Sequence, residues 1–290
     1  MVNLAQVEAL DLLLWVGNGQ QAGRISSLSQ PTISRGAHHV ARTLGLSLQK
    51  VCSEWHVAGD SSSLALERQL QQLGRLEGRG PLRLEAGAVS SRALADPPLP
   101  SWVLGRPDAI NQPRSLDLVR QRVIDAWICT SALDLPEESG QEVTVLELFR
   151  APLQLVASAQ HPLAQEQGLR ATELVLFPSV ALEGNWYPRS AAQLQEQGLW
   201  RDPRRLNHYR SRHWEGRTAD GQTLAYASPL MLMRNPSLHP LDFDLGVQQS
   251  VALVVLSEIA DHQRIQELLQ TLQQRVGLLQ PGEAMAPCAA

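Results

Sequence analysis

Apolar residues recur with a helical period over the first part of the chain and then give way to short apolar runs separated by helical stretches. Over 4–16, Val7, Leu10 and Leu14 form a stripe that Leu12, Leu13 and Trp15 widen until little polar surface remains. That pattern predicts a helix buried on most sides or paired with another. The GNGQ segment at 17–20 breaks it, and a short second helix is predicted over 21–26. A third helix starts after Ser29, a good N-cap residue, with Pro31 in the first turn, where its missing N–H costs nothing. At about 100° per residue, Ile33, Ala37, Val40 and Leu44 share one face, and Arg35 and Arg42 lie opposite with His38 and His39 beside them. Gly45 is placed to end this helix, and 46–51 reads as an extended, wing-like segment.

A Gly, Asp and Ser cluster at 59–63 leads into a helical run in which Leu66, Leu70 and Leu73 have four-then-three spacing, with Leu64 and Leu76 nearby. This is a short coiled-coil-like seam. After the GRGP break at 78–81 the pattern changes to strands at 82–88, 123–130, 143–148, 153–158 and 251–256, with helices at 191–196 and 264–276. The larger part of the chain is therefore expected to be α/β, without internal repeats.

With 290 residues, 43% hydrophobic and 19% charged, the chain has the length for two domains and an ordinary globular composition. Its longest apolar runs fall short of the roughly 20 residues that span a bilayer, and the N-terminus lacks the sections of a signal peptide, so a cytoplasmic location is expected. Cys52, Cys129 and Cys288 are far apart and odd in number, which fits neither a disulfide framework nor a zinc ribbon and predicts inert thiols. Adjacent histidines on a helix point about 100° apart, so His38 and His39 do not suit one metal ion. No catalytic motif is present. GNGQQAG at 17–23 has the wrong glycine spacing for a dinucleotide loop, and Glu137-Glu138 sits in a Pro/Gly-bounded loop. Neither an enzyme nor a bound cofactor or metal is expected.

The segment SQPTISR, from Ser29 to Arg35, followed in step by Leu44-Gly45 and Leu48, resembles the winged helix-turn-helix of LysR-type transcriptional regulators. Gly17, Ala22 and Ala58-Gly59 fall at matching places. LRLEAG at 82–87, APLQLVASAQHPLA at 151–164 and LHPLDFDLG at 238–246 are similar to the opening, crossover and returning segments of that family's effector domain. The resemblance implies an α/β protein with an N-terminal all-α winged helix-turn-helix and an effector domain of two periplasmic-binding-like α/β lobes. The implied division is a DNA-binding domain at 1–59, a dimerising linker helix at 60–80, an effector domain at 81–276 with its second lobe at about 159–235, and a loose tail at 277–290.

By this resemblance Gln30, Pro31, Thr32, Ser34 and Arg35 enter the major groove of double-stranded DNA. Arginine can fork onto guanine, glutamine can pair with adenine, and the threonine methyl can pack on thymine. Arg24, Arg42 and Lys50 are expected on phosphates, with His38 and His39 beside them. Ser90 and Ser91 follow one predicted strand and Thr130 and Ser131 another. Such positions resemble the family's effector site and suit a small anionic metabolite. Half-sites about 34 Å apart call for a homodimer or homotetramer, and the leucine seam offers a place to pair. Arginines 201, 204, 205, 210, 212 and 217 with His208 and His213 form a basic strip that reads as either solvated surface or an anion or acidic-partner contact.

Charge leaves one alternative open. The whole chain carries a formal −4, and up to residue 60 the acids Glu8, Asp11, Glu54 and Asp60 balance Arg24, Arg35, Arg42 and Lys50. Because phosphate neutralisation supplies much of DNA affinity, a small-molecule sensor with a degenerate, non-binding helix-turn-helix fits the same numbers.

Overall fold

The computed structural model describes residues 2–51, 54–106, 112–182, 184–200, 203–204 and 217–279. Helix α1 (Leu4–Val16) opens on an Asn3–Gln6 capping box and closes on Gly17 in the left-handed region. Asn18 caps α2 (Gly19–Ser26), which therefore starts two residues earlier than its apolar pattern indicates. Ser27, at φ 58°, turns the chain into α3 (Gln30–Thr43), where the Ser29 side chain accepts from the Thr32 amide and Pro31 sits in the first turn, as predicted. Gly23 permits that turn, since any Cβ there would overlap the Leu28 carbonyl. Strand β1 (Ser47–Val51) is the predicted extended segment. Its antiparallel partner β2 (Glu54–Ala58) completes a wing of which the sequence pattern marks only the first strand.

Helix α4 (Ser62–Leu76) has two unlike faces. Leu64, Arg68, Gln72, Arg75 and Leu76 are buried, whereas Leu66, Leu70 and Leu73 are 69%, 55% and 47% exposed. The chain then runs through β3 (Leu82–Ala86), α5 (Ala88–Leu94), β4 (Trp102–Leu104), α6 (Gln112–Arg120), β5 (Ala126–Cys129) and β6 (Val143–Ser158). It continues with α7 (Ala171–Leu174), β7 (Ser179–Val180), α8 (Pro188–Glu196), β8 (Pro203–Arg204), β9 (Ala225–Ala227), α9 (Pro229–Arg234), β10 (Leu238–Leu256) and α10 (Gln263–Leu279). The main sheet has the order β4-β3-β5-β10-β6-β9, with β3 parallel to β4 and β5, and β10 antiparallel to β5 and β6. Strands β7 and β8 pair separately.

The sequence pattern divides β6 into two strands at Pro152, but the strand runs through. Pro152 lies opposite Gln248, next to a register shift, where a missing donor is tolerated. The predicted first strand stops at Ala86, and α5 takes the residues after it. β6 and β10 run through two hydrophobic clusters. One joins α1, α3 and Leu64 and Leu76 of α4 to β3, β5 and α10, and the other gathers Leu155 to Val247. These are the cores of two lobes, the first continuous with the helices before it.

Buried charges join α1 and α4 to the first lobe. Asp125 is fully buried and accepts two hydrogen bonds from Arg75, one from Gln72 and one from the Arg83 amide, at 2.8 to 3.2 Å. Burial works against the Arg75 charge, but the Asp125 carboxylate, with Asp11 and Glu8 adding to it, outweighs burial and holds the guanidinium above its ordinary pKa. Asp11 of α1 receives Arg68 at 2.7 Å, and the Trp15 indole N–H donates to Glu85. A side chain at Gly105 would collide with both Trp15 and Glu85. Helix α1 has no basic residue in its last turn. Arg114 instead donates to the carbonyls of Leu14 and Trp15, and Arg106 to that of Val16, so first-lobe arginines neutralise the helix terminus.

A second clasp joins the two lobes. Asp134, 4% exposed, accepts from the amides of Arg189 and Ser190 at 2.9 and 3.0 Å and from the Ser190 hydroxyl at 2.6 Å. It thereby caps α8 from the other lobe, and Arg189 also pairs with Glu137 at 2.7 Å.

Two outcomes follow. Asp125→Ala leaves Arg75 buried without a counter-charge and is expected to cost about 3–5 kcal/mol in urea unfolding, with the Asp125→Leu/Arg75→Met pair recovering most of the loss. Asp134→Ala is expected to cost about 1–3 kcal/mol and to accelerate hydrogen exchange at the Arg189 and Ser190 amides. Unchanged protection at those amides would show that the clasp does not hold α8.

Candidate nucleic-acid interface

The outward face of α3 follows from its inward one. Ile33, Ala37 and Val40 are fully buried, and Gly36 sits so close to α1 that a Cβ would lie 3.2 Å from that of Ala9. This leaves Gln30, Pro31, Thr32, Ser34, Arg35, His38 and Arg42 exposed and His39 half-buried. Arg35 Nε donates to the Pro31 carbonyl at 3.3 Å, which aligns the side chain along the first turn of the helix with its guanidinium exposed. Thr32 Oγ1 is 2.8 Å from the Ser29 hydroxyl. His38 Nδ1 lies 2.8 Å from the Ser34 carbonyl, and since a carbonyl only accepts, Nδ1 carries the proton and Nε2 is turned away from that bond. A groove of 750 Å³ runs between this face and the start of α1, with Asn3 and Gln6 on one wall and Arg35, His38 and Arg42 on the other.

The wing adds Lys50, exposed on β1, and Trp55, half-buried on β2. The Lys50 ammonium lies 5.7 Å from the Trp55 ring centroid, and His38 meets the same ring edge-on at 6.2 Å. No period-2 signal marks so short a strand, so the sequence pattern does not single out Trp55.

The balanced charge of the first 60 residues is separated in space. Glu8 lies 3.7 Å from Arg83, Asp11 binds Arg68, and Glu54 lies 3.4 Å from Arg114, so three of the four acids meet arginines from outside the helix-turn-helix and wing. Arg24, Arg35, Arg42 and Lys50 are all exposed, and none makes an ion pair among the described residues. One side of this unit is thus neutralised by the first lobe, and the cations face solvent.

The proposed effector residues follow the carboxyl ends of the parallel pair β3 and β5, so the fold brings them to one end of the sheet. Ser90 is fully buried and its hydroxyl donates to the Gly87 carbonyl, so it serves its own helix. Ser91 and Thr130 are half-buried, and Ser131 is 9% exposed directly before the turn that carries Asp134. Burial pushes the Cys129 thiol up to about 12, consistent with an inert cysteine. Cys52 and Cys288 lie outside the described residues, as do residues 201–202 and 205–216 of the basic strip. Among the described residues no helix is long and apolar enough to cross a membrane.

No curated protein matches the sequence. Solved structures of the same fold include a full-length single-residue variant of OxyR from Pseudomonas aeruginosa, with a TM-score of 0.55 at 15% identity over 96% of this chain and 98% of that one. Full-length CbnR complexed with its target DNA aligns with a TM-score of 0.53 at 13% identity, covering 94% of this chain and 99% of that one. The regulatory domain of MetR from N. meningitidis, a LysR family regulator, gives 0.52 at 15% identity over 72% of this chain and 100% of that one. The LysR substrate binding domain model matches residues 108–277, well over half of the chain. With helix-turn-helix and wing ahead of a two-lobed α/β body, and that match across the body, the chain belongs to the LysR family of regulators.

Proposed function

We propose that this protein is a sequence-specific, DNA-binding transcriptional regulator whose output is set by a small-molecule effector bound between its lobes. The observation that carries this reading is the separation of charge on the N-terminal unit. Three of its four acids are taken up by first-lobe and α4 arginines, while four cations stay exposed around and beyond the outward face of α3. A structure of similar fold was solved with its target DNA, which supports DNA as the partner here. In this reading Gln30, Pro31, Thr32, Ser34 and Arg35 meet base edges, and Arg24, His38, His39, Arg42 and Lys50 meet the backbone.

The effector site would lie at the shared carboxyl end of β3 and β5, where Ser91, Thr130 and Ser131 offer polar groups to an anionic metabolite. The exposed Leu66, Leu70 and Leu73 stripe would pair with a second copy, giving the homodimer or homotetramer that two half-sites demand, in the cytoplasm.

Arg35→Ala is expected to weaken binding to the duplex upstream of the protein's own coding sequence by about 1–3 kcal/mol in a gel-shift titration, with little effect on a mixed-sequence duplex. Arg42→Ala should instead weaken both alike. Equal operator binding by Arg35→Ala and wild type would contradict base readout by α3.

A further inference from the structure

Lys50 stands directly across the wing hairpin from Trp55, and its ammonium lies 5.7 Å from the indole centroid. The ring itself is held from two sides. It packs on the core together with Leu48 and Val57, and His38 of α3 meets it at an interplanar angle of 87°. The His38 ring is in turn fixed by its bond to the Ser34 carbonyl. Trp55 therefore ties the wing to α3 through aromatic contacts. Lys50 makes no ion pair among the described residues, so no carboxylate competes with the ring for the ammonium. Glu54, next to Trp55, is directed to Arg114.

A lysine stem is long and flexible, and fixing it on binding costs rotamer entropy. An ammonium already held over an aromatic face has lost part of that freedom before DNA arrives, and it keeps its charge and its donors. We propose that Trp55 is a positioning residue that presets the Lys50 ammonium for a DNA phosphate. This inference rests on the DNA-binding reading above and adds to it a residue outside the helix-turn-helix motif. The role needs an aromatic face, which phenylalanine also offers and leucine does not.

The sequence makes the test unusually clean, because Lys50 is the only lysine in the chain. In the full-length protein labelled with 13C-lysine, the single side-chain εCH₂ signal is expected upfield of its free position through the indole ring current. It should stay upfield in Trp55→Phe and return to the free position in Trp55→Leu. An unshifted wild-type signal overturns the inference without reference to DNA. Binding to the upstream duplex is then measured across a salt series. Lys50→Gln should make the plot of log K against log [salt] shallower by about one unit. Trp55→Leu should lose the same amount, the double variant no more than either single one, and Trp55→Phe nearly nothing.

A wild-type slope in Trp55→Leu, or additive losses in the double variant, overturns the positioning role while leaving DNA binding intact. A wild-type protein that binds no duplex at all overturns the regulator reading and this inference together. Thermal melting of Trp55→Phe, which keeps the wing's aromatic packing, guards against reading a collapsed wing as a lost phosphate contact.

Discussion

The buried Asp125 carboxylate is the constraint from which the arrangement of this molecule follows. An unpaired charge with no exposure to water would cost several kcal/mol, so its four hydrogen bonds must all be made for the chain to fold. They come from α4 and from the start of β3, which brings the helix after the wing against the first sheet. Asp11 repeats the logic one layer further out, where Arg68 of α4 reaches α1. The Trp15–Glu85 bond, with no space for a side chain at Gly105, closes the same seam.

Once α1 is held this way, its chemistry makes sense. A helix apolar on nearly all sides needs cover on nearly all sides, and α3 supplies only one of them. Helices α2 and α4 and strand β2 supply more of it, and the first lobe closes the carboxyl end, where Arg106 and Arg114 bring the positive charge that a helix terminus favours. Arg114 also lies 3.4 Å from Glu54 in the wing, so one first-lobe side chain meets both the end of α1 and the turn end of the hairpin, where Glu54 pairs with Val51. The N-terminal unit and the first lobe share a continuous hydrophobic core. The buried side of α3 therefore rests on the same core as the first lobe.

The second lobe is attached differently. Two long strands cross into it, and from the first lobe Asp134 caps α8 while Glu137 pairs with Arg189. This clasp lies next to Ser131, between two separate hydrophobic cores. An effector that enters beside Ser131 would meet this clasp first.

Much of the fold was legible in the sequence, because the signals that mark it are local. Ser29 and Gly45 begin and end a helix within a few residues of themselves, the α3 periodicity separates core from solvent, and SQPTISR names the family that the match over the body bears out. Short or irregular elements were not legible: β2 and β4 are too brief for a period to register, and Pro152 hid the continuity of β6. What only the tertiary structure decided is where the charges go. The sequence shows a balanced sum up to residue 60, whereas the fold assigns Asp11 to an arginine 57 positions away and the Leu14 carbonyl to one 100 positions away. Electrostatics depends on distance in space, and no local pattern carries it. A neutral segment thus becomes a polar body with three of its four acids paired to arginines and its four cations facing water.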